Sequence, residues 1–522
     1  MKDTLKQLRQ SRCLPYLAVA LSFLAAWTGE TGSLVWGGLC ILLSLPLLAV
    51  PEYLLLPLLT TALLDMNCDL LPGLTASRYF TMLFLAAEGL NVLLREKPVQ
   101  WVRRFAYPAL LILYVLISAV FVGRCFSLEV FTLGMNIALA ALMAALPSPR
   151  RARLWRLLPW SGAAAVSYML FCLNFREVTV SNGRYWFMGA TNVNDIGMVL
   201  TQTAILFFAA MAMQPVDRKG EWKSAGCFIG YALSLYLLVL TGARSSLFGL
   251  VGGCAVLGVL LLLHSQQGGG RRQMANLAVT CCLSAALCLT APQIQQRVEL
   301  WRYDMVHPTP PVEEVQPDQP ETPETPPEDT PDQPETPEAP PENTPIQPEQ
   351  PSREETIAQL QENTDSFWRR MNPFSAYWGA SAGRAEIWQV LIEHSIKPHP
   401  LTGTGFGSAA SVLHANETSS SGAHNILVAV LSDLGLIGLL LFGIPLARLL
   451  CRLLRRKDPV ALLPLGMIVT ALVTGVGENI YTERFLWYAA GLAMWLLNSS
   501  ASSEFERVPN DESPVCDAVS VQ

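Results

Sequence analysis

S-S-S-G-A-H-N-I-L-V-A-V-L-S-D-L-G-L-I-G-L-L-L-F (Ser419 to Phe442) passes from seven small or polar residues into a long apolar run. Continued to about residue 446, that run matches the roughly 17 to 25 residues that a helix needs to cross hydrocarbon. Inside hydrocarbon each polar group left unpaired costs several kcal/mol. A histidine at the mouth of such a span, facing a large polar loop, therefore reads as part of a site. The plainer alternative is that His424 caps the helix that follows it.

Outward from this stretch, apolar segments of similar length recur along nearly the whole chain, near 14–30, 33–50, 52–65, 78–94, 107–123, 127–146, 157–173, 195–213, 225–242, 245–263, 275–291, 424–446, 459–476 and 483–498. The second and third are short and divided by Pro51-Glu52, so the expected count is about 12 to 14 spans. Of the 522 residues, 51% are hydrophobic and 15% charged, with mean hydropathy +0.33. A soluble domain carries about 25% charged residues, so the composition excludes that class and predicts an all-α, polytopic transmembrane bundle. The first apolar segment reads as a retained anchor, because Ala26-Trp27-Thr28-Gly29 is a poor cleavage site.

Short basic loops set the orientation. Lys2, Lys6, Arg9 and Arg12 precede the first span; Arg95, Lys97, Arg103 and Arg104 follow the fourth; Arg150, Arg151, Arg153 and Arg156 follow the sixth. Arg218, Lys219 and Lys223, then Arg271 and Arg272, then Arg452, Arg455, Arg456 and Lys457 complete the series. All fall on one side of this topology, which the positive-inside rule makes cytoplasmic. The expected organisation is an N-terminal transmembrane bundle at 1–291, a large extracytoplasmic loop with short helices at 292–423, C-terminal transmembrane helices at 424–498, and a cytoplasmic tail at 499–522. Both termini are then cytoplasmic.

The net charge of −6 arises in one place. Between Arg302 and Arg353 there are thirteen acidic residues and no Lys or Arg, and without them the chain is net positive. The acidic balance thus says nothing of a basic partner, and nothing points to nucleic acid. Within this stretch P-D-Q-P-E-T-P-E-T-P-P-E-D-T (317–330) recurs at 331–344 with two substitutions. Proline removes backbone donors and like charges repel, so 308–351 is expected to be a disordered, extended spacer that carries no chemistry. The twelve cysteines lie mostly in or beside apolar segments, where they read as small polarizable core residues. A Cys68–Cys125 disulfide near the outer face is the one pairing the topology leaves open.

Polar residues gather at the outer ends of the spans. R-Y-W-F-M-G-A-T-N-V-N-D (Arg184 to Asp195) places Asn192, Asn194 and Asp195 at a helix start. T-G-A-R-S-S (Thr241 to Ser246) is a tight turn that leaves Arg244 and Ser245 at the membrane surface. R-A-E-I-W-Q-V-L-I begins at Arg384 and puts Arg384, Trp388 and Leu391 on one helical face, in a segment too short to span. G-T-G-F-G (Gly403 to Gly407) is a flexible turn, not a nucleotide fingerprint, since no strand precedes it. Plainer readings stand beside each: Arg384 snorkels or pairs with a surface Glu, Arg244 anchors at the interface, and the glycines are ordinary turn residues. Taken together, the cations, the titratable base and the hydroxyl and amide groups suit a phosphorylated, lipid-borne substrate. Guanidiniums match phosphate oxygens with planar forks, and neutral imidazole accepts a hydroxyl proton near neutral pH.

The ordered set resembles the O-antigen ligase and polymerase family of bacterial membrane glycosyltransferases. The pieces are G-x-x-N-x-N-D at 189–195, T-G-A-R-S-S, R-A-E-I-W, G-T-G-F-G, and A-H-N-I-L (423–427) followed by D-L-G-L-I-G-L (433–439), the most specific of them. The resemblance covers about 180–445 outside the proline insert. It implies a GT-C-like bundle in the bacterial cytoplasmic (inner) membrane, a polyprenyl-diphosphate-linked glycan donor, a glycan or lipid or cell-wall acceptor, and neither metal nor cofactor. Carried over by position, Arg244 and Arg384 would hold the diphosphate, with Arg184 in support. His424 would be the general base, and Asn192, Asn194, Ser245, Trp388 and Asn425 would be supporting residues. The insert and two extra N-terminal spans depart from the family pattern.

Other classes remain open at this stage. A lipid or polysaccharide exporter would carry charges at the bilayer midplane and repeated sets of spans. Here the charges sit at helix ends. A non-catalytic scaffold would use the proline loop itself. A metal-dependent glycosyltransferase fits less well, because Asp65 and Asp69 lack an adjacent acidic partner.

Overall fold

A computed structural model describes residues 11, 13–31, 34–64, 69–71, 73–124, 128–146, 151–176, 178–181, 183–187, 193–212, 218–265, 270–306, 353–371, 384–418, 420, 422–456 and 459–498. Asn192, the Cys68–Cys125 pair and the proline tract at 308–351 lie outside the described residues. The described cysteines are free thiols.

The architecture is all-α and polytopic. The N-terminal part holds α1 (Leu14–Thr31), α2 (Leu34–Ser44), α3 (Leu55–Ala62), α4 (Ala76–Arg95), α5 (Pro98–Ile117), α6 (Leu128–Met143) and α7 (Arg151–Phe175). Next come α8 (Val193–Ala212), α9 (Arg218–Thr241), α10 (Arg244–Ser265) and α11 (Gly270–Val306). Then follow α12 (Arg353–Met371), α13 (Arg384–Leu391), α14 (Ala409–Ala415), α15 (Ile426–Leu454), α16 (Leu462–Thr474) and α17 (Arg484–Asn498). Two short antiparallel hairpins are the described sheet: β1 (Asp69–Leu71) with β2 (Leu74–Thr75), and β3 (Thr179–Ser181) with β4 (Arg184–Trp186).

Seven described helices are long and apolar enough to cross a membrane, and four apolar helices are shorter. The segments expected at 33–50 and 52–65 form one broken unit. Pro46 and Pro51 start 3₁₀ turns (Leu45–Ala49 and Pro51–Leu54) between α2 and α3, where a proline without an amide hydrogen cannot continue a ladder. The span expected at 275–291 continues as helix to Val306 through a polar stretch and Pro292. At 1.5 Å per residue its 37 residues reach about 55 Å, well beyond a hydrocarbon core of about 30 Å. Its far end is where α12 attaches: Arg353 pairs with Asp304 at 2.8 Å, and Gln296 Nε2 donates to Gln361 at 3.3 Å.

Helix α8 is the axis of the bundle and is about 89% buried, the most of the seven long apolar helices. Small residues let its neighbours approach. A Cβ added at Gly197 of α8 would lie 2.4 Å from Ala243 Cβ, and Cβ atoms at Gly249 and Gly253 of α10 would strike Thr474 and Thr470 of α16. Close backbone approach through glycine is the usual device where lipid supplies no hydrophobic drive between helices. A second core, with Leu111, Val115, Leu391, Phe406, Leu413 and Leu434 among its members, fastens the 384–423 segment onto α5 and α15.

Helix α15 is not straight. Gly435 has φ 63° and ψ −167° and divides it into 426–434 and 436–454. The gap is filled by the turn before α14. Leu436 N donates to Pro400 O and Ile437 N to Leu401 O, while Thr404 N and Gly405 N donate to Ser432 O and Asp433 O. Tyr114 donates to Leu434 O at 2.6 Å. Every one of these groups would otherwise be an orphan of a helix end. A Cβ at Gly435 would fall 2.3 Å from Leu401 C, so close approach as well as φ demands glycine there.

Candidate active site

The turn between α9 and α10 begins the site. Gly242, at φ 58°, reverses the chain so that α10 opens with Arg244 and Ser245. The β3–β4 hairpin lies against this turn. Arg184 Nε donates to Thr241 O at 2.9 Å and Nη2 to Asn194 Oδ1 at 2.5 Å, and a Cβ at Gly242 would touch Arg184 Cγ at 3.3 Å. Asn194, on the first turn of α8, therefore holds an arginine in place.

Helix α13 brings Arg384. Its inner face buries Ile387 and Leu391, and Trp388 Nε1 donates to Ala423 O at 2.8 Å, tying α13 to the residue before His424. His424 itself has φ 47°, a left-handed conformation uncommon for a residue with a Cβ. It does not cap α15. Asn425 does: its Oδ1 accepts from Leu427 N at 2.9 Å and Val428 N at 3.1 Å, and its Nδ2 donates to Val476 O at 3.0 Å. With the cap supplied by its neighbour, the imidazole turns to the cavity.

A carboxylate joins these groups. Glu478, in the turn between α16 and α17, is 2% exposed. Its Oε2 lies 3.2 Å from His424 Nδ1, and its Oε1 accepts from Arg384 Nη2 and from Ser245 Oγ, each at 3.4 Å. Gly477 makes room for the convergence, since a Cβ there would be 2.8 Å from Ser245 Cβ and 3.1 Å from Arg384 Nη1. Buried charge persists only where it is paired and hydrogen-bonded, and Glu478 has three partners.

In front of the buried carboxylate, Arg184, Asn194, Arg244, Ser245, Arg384 and His424 line one cavity of about 500 Å³. Its wall carries four guanidiniums, those of Arg184, Arg244, Arg370 and Arg384, with His424, Ser245 and Asn194. Glu386, Glu417, Thr418 and Ser420 also border it. Burial first, then Arg370 and more weakly Arg244 and Arg384, push the Arg184 guanidinium down to about 9, against the opposing pull of Glu478. Arg184 is thus still protonated at neutral pH, in a wall that favours anions. Among the described residues no group of three or more His, Cys, Asp or Glu is placed to hold a metal ion.

The structure therefore brings Arg184, Arg244, Ser245, Asn194, Arg384 and His424 to one cavity. Trp388 and Asn425 stand behind it as supports for the backbone around His424. Sequence reading does not single out Glu478 or Arg370. Glu478 does carry a signal: V-G-E-N (Val476 to Asn479) is a carboxylate between two apolar helices. Arg370 carries none, being one of an Arg-Arg pair at the end of a polar helix.

What the cavity can do follows from its parts: a base oriented by a buried carboxylate, beside cations that can bind a phosphorylated group. No curated protein matches the chain. Residues 229–443, which contain Arg244, Arg384, His424 and the Gly435 break, match the family model of O-antigen ligase, and that match supports the resemblance to the O-antigen ligase family.

Proposed function

We propose that the chain transfers a glycan from a polyprenyl diphosphate carrier to an acceptor hydroxyl at the extracytoplasmic face of a bacterial cytoplasmic membrane. The match of residues 229–443 to the O-antigen ligase model supports a membrane ligase or polymerase of glycans. The orientation rests on the basic loops, which put the cavity on the side opposite to them. The observation that carries the reading is the His424 Nδ1 to Glu478 Oε2 contact of 3.2 Å at the wall of an arginine-lined cavity.

In the Nδ1–H tautomer the imidazole donates to Glu478 and leaves the Nε2 lone pair for the acceptor. The acceptor oxygen loses its proton to Nε2 as it bonds to the anomeric carbon. The bond from that carbon to the carrier diphosphate breaks, and the diphosphate departs with the electron pair. Arg244 and Arg384 face the charge that builds on the leaving oxygens, which is where fixed donors contribute most to rate. The Glu478 carboxylate stabilises the imidazolium formed in the step. A proton then passes from His424 to solvent.

The test is His424→Ala in purified protein with carrier-linked donor. Transfer should fall about 10²- to 10⁴-fold, the usual contribution of general base catalysis, with donor binding retained. Turnover within a few-fold of wild type would remove His424 from the chemistry. An exporter would instead move donor across vesicles without consuming it.

A further inference from the structure

His424 and Glu478 belong to two different pieces of chain, and their 3.2 Å contact holds only while those pieces keep register. His424 precedes the 426–434 piece of α15, which the Gly435 break separates from the rest of that helix. Glu478 sits in the 475–483 turn between α16 and α17. At the cavity the two pieces are stitched together: Ile426 N donates to Gly475 O at 2.7 Å, and Asn425 Nδ2 to Val476 O at 3.0 Å. The other end of the turn leans elsewhere. Trp487 Nε1 of α17 donates to Tyr481 O at 2.8 Å, and Asn136 Nδ2 of α6 to Thr482 O at 2.9 Å. The Tyr481 hydroxyl returns that end to α15 by donating to Asp433 Oδ2 at 2.5 Å. Asp433 lies at the far end of the 426–434 piece, about 10 Å along it from Ile426. Both Asp433 and Tyr481 are buried. The Tyr481 ring meets Phe406 and Phe442 edge-on, with centroids 6.1 and 6.3 Å away, so its hydroxyl has little freedom to turn from the carboxyl.

We infer that Asp433 and Tyr481 are a positioning pair, whose bond fixes the Glu478 turn to the helix that begins at His424 and so sets the aim of the imidazole. The inference rests on the transfer reaction proposed above and adds two residues to it, neither of which lines the cavity. An acidic side chain within an apolar helix is costly to keep, which makes a role beyond packing the default expectation. Tyr481 follows Glu478 by three residues, so a shift at the hydroxyl reaches the carboxylate through little chain. A short rod pinned at both ends cannot swing about its cavity end; pinned at one end, it can. Misplacement by about 1 Å, even from a change far from the chemistry, can slow a reaction by about 10²-fold.

The test is consumption of carrier-linked donor at matched amounts of folded protein. Tyr481→Phe removes the hydroxyl and keeps the ring against Phe406 and Phe442. Its kcat should fall about tenfold, the scale of one hydrogen bond. Asp433→Asn keeps an acceptor oxygen for the hydroxyl and should stay within about threefold of wild type. The double variant Tyr481→Phe/Asp433→Asn loses the bond without leaving a buried carboxyl unpaired. It should match Tyr481→Phe in rate, and it answers the same question if that single variant fails to fold. Tyr481→Phe placed on Glu478→Gln should add no more than about a twofold loss, because the pair acts through Glu478; a merely structural pair would multiply the two losses. Wild-type kcat without the hydroxyl, Asp433→Asn as slow as Tyr481→Phe, or multiplied losses on Glu478→Gln each overturn the positioning pair and leave the transfer reading in place. A wild type that consumes no donor overturns the transfer reading and this inference with it.

Discussion

Glu478→Gln isolates the carboxylate from the space it fills. The substitution keeps side-chain volume and replaces a charged acceptor at 3.2 Å from His424 Nδ1 and 3.4 Å from Arg384 Nη2 with a neutral amide. Hydrogen bonds to charged groups contribute about 1.5 to 3 kcal/mol. If the His424 bond forms fully only as the imidazole becomes cationic, that loss falls on the transition state. Each 1.36 kcal/mol is tenfold in rate, so kcat should drop about 10- to 10²-fold. The Arg384 contact adds a rise in the donor KM, because the guanidinium is no longer held from behind. The assay is consumption of carrier-linked donor by Glu478→Gln, His424→Ala and the double variant at matched amounts. Glu478 acts on kcat through His424, so the double variant should be no slower than His424→Ala alone. Contacting residues are expected to be non-additive in this way. Two results would refute the reasoning: Glu478→Gln within about twofold of wild type, or a double variant whose losses multiply.

Three further outcomes follow from the same geometry. Arg244→Lys and Arg384→Lys keep charge and lose the bidentate fork, so each should slow transfer by about tenfold or more, and the pair should be less than additive; lysine working freely in both would instead indicate membrane anchoring. Pyrophosphate affinity should fall as pH rises through about 9, where Arg184 loses its proton, and Arg184→Gln should flatten that limb of a binding titration. Because burial and cationic neighbours lower its pKa, the protonated form of Arg184 weakens the fold below that pH, and pyrophosphate should raise the melting temperature there. Glu417 occupies the left-handed position after α14, with Glu417 N bonded to His414 O and Thr418 N to Leu413 O, where glycine is the favoured residue. Glu417→Gly should therefore stabilise the end of α14 by about 1 kcal/mol, read as slower amide exchange, and unchanged or faster exchange would contradict the strain.

The spans were legible because length and apolarity are local properties of a segment. So were Arg244, Arg384 and His424, since a polar group at the mouth of an apolar run stands out whatever the rest of the chain does. Arg184 and Asn194 gave a weaker signal, and their contact between β4 and α8 explains why both are present. Glu478 escaped because its meaning lies in contacts with Ser245 and His424, far from it in sequence. The polar end of α11 escaped because hydropathy falls at Pro292 while the helix continues, held by α12. The break at Gly435 escaped for the opposite reason: the apolar pattern runs through it without a pause, and only the turn at 400–405 reveals that the backbone bonds go elsewhere.

That break bears on how the protein reaches its final form during synthesis. The segment around Gly435 is apolar enough to enter the bilayer as one unbroken rod, since glycine can adopt right-handed helical angles at a cost of only about 1 kcal/mol relative to alanine. The turn at 400–405 lies ahead of it in the chain and has already emerged when the rod inserts. Docking then becomes an exchange: Leu436 and Ile437 trade carbonyls one helical turn back for Pro400 O and Leu401 O, and Ser432 O and Asp433 O trade amides one turn on for Thr404 N and Gly405 N. Bonds are conserved through the exchange, so the rod can be severed inside an apolar environment without stranding a peptide group. The His424 mouth therefore takes its final shape only with the turn at 400–405 docked against 432–437.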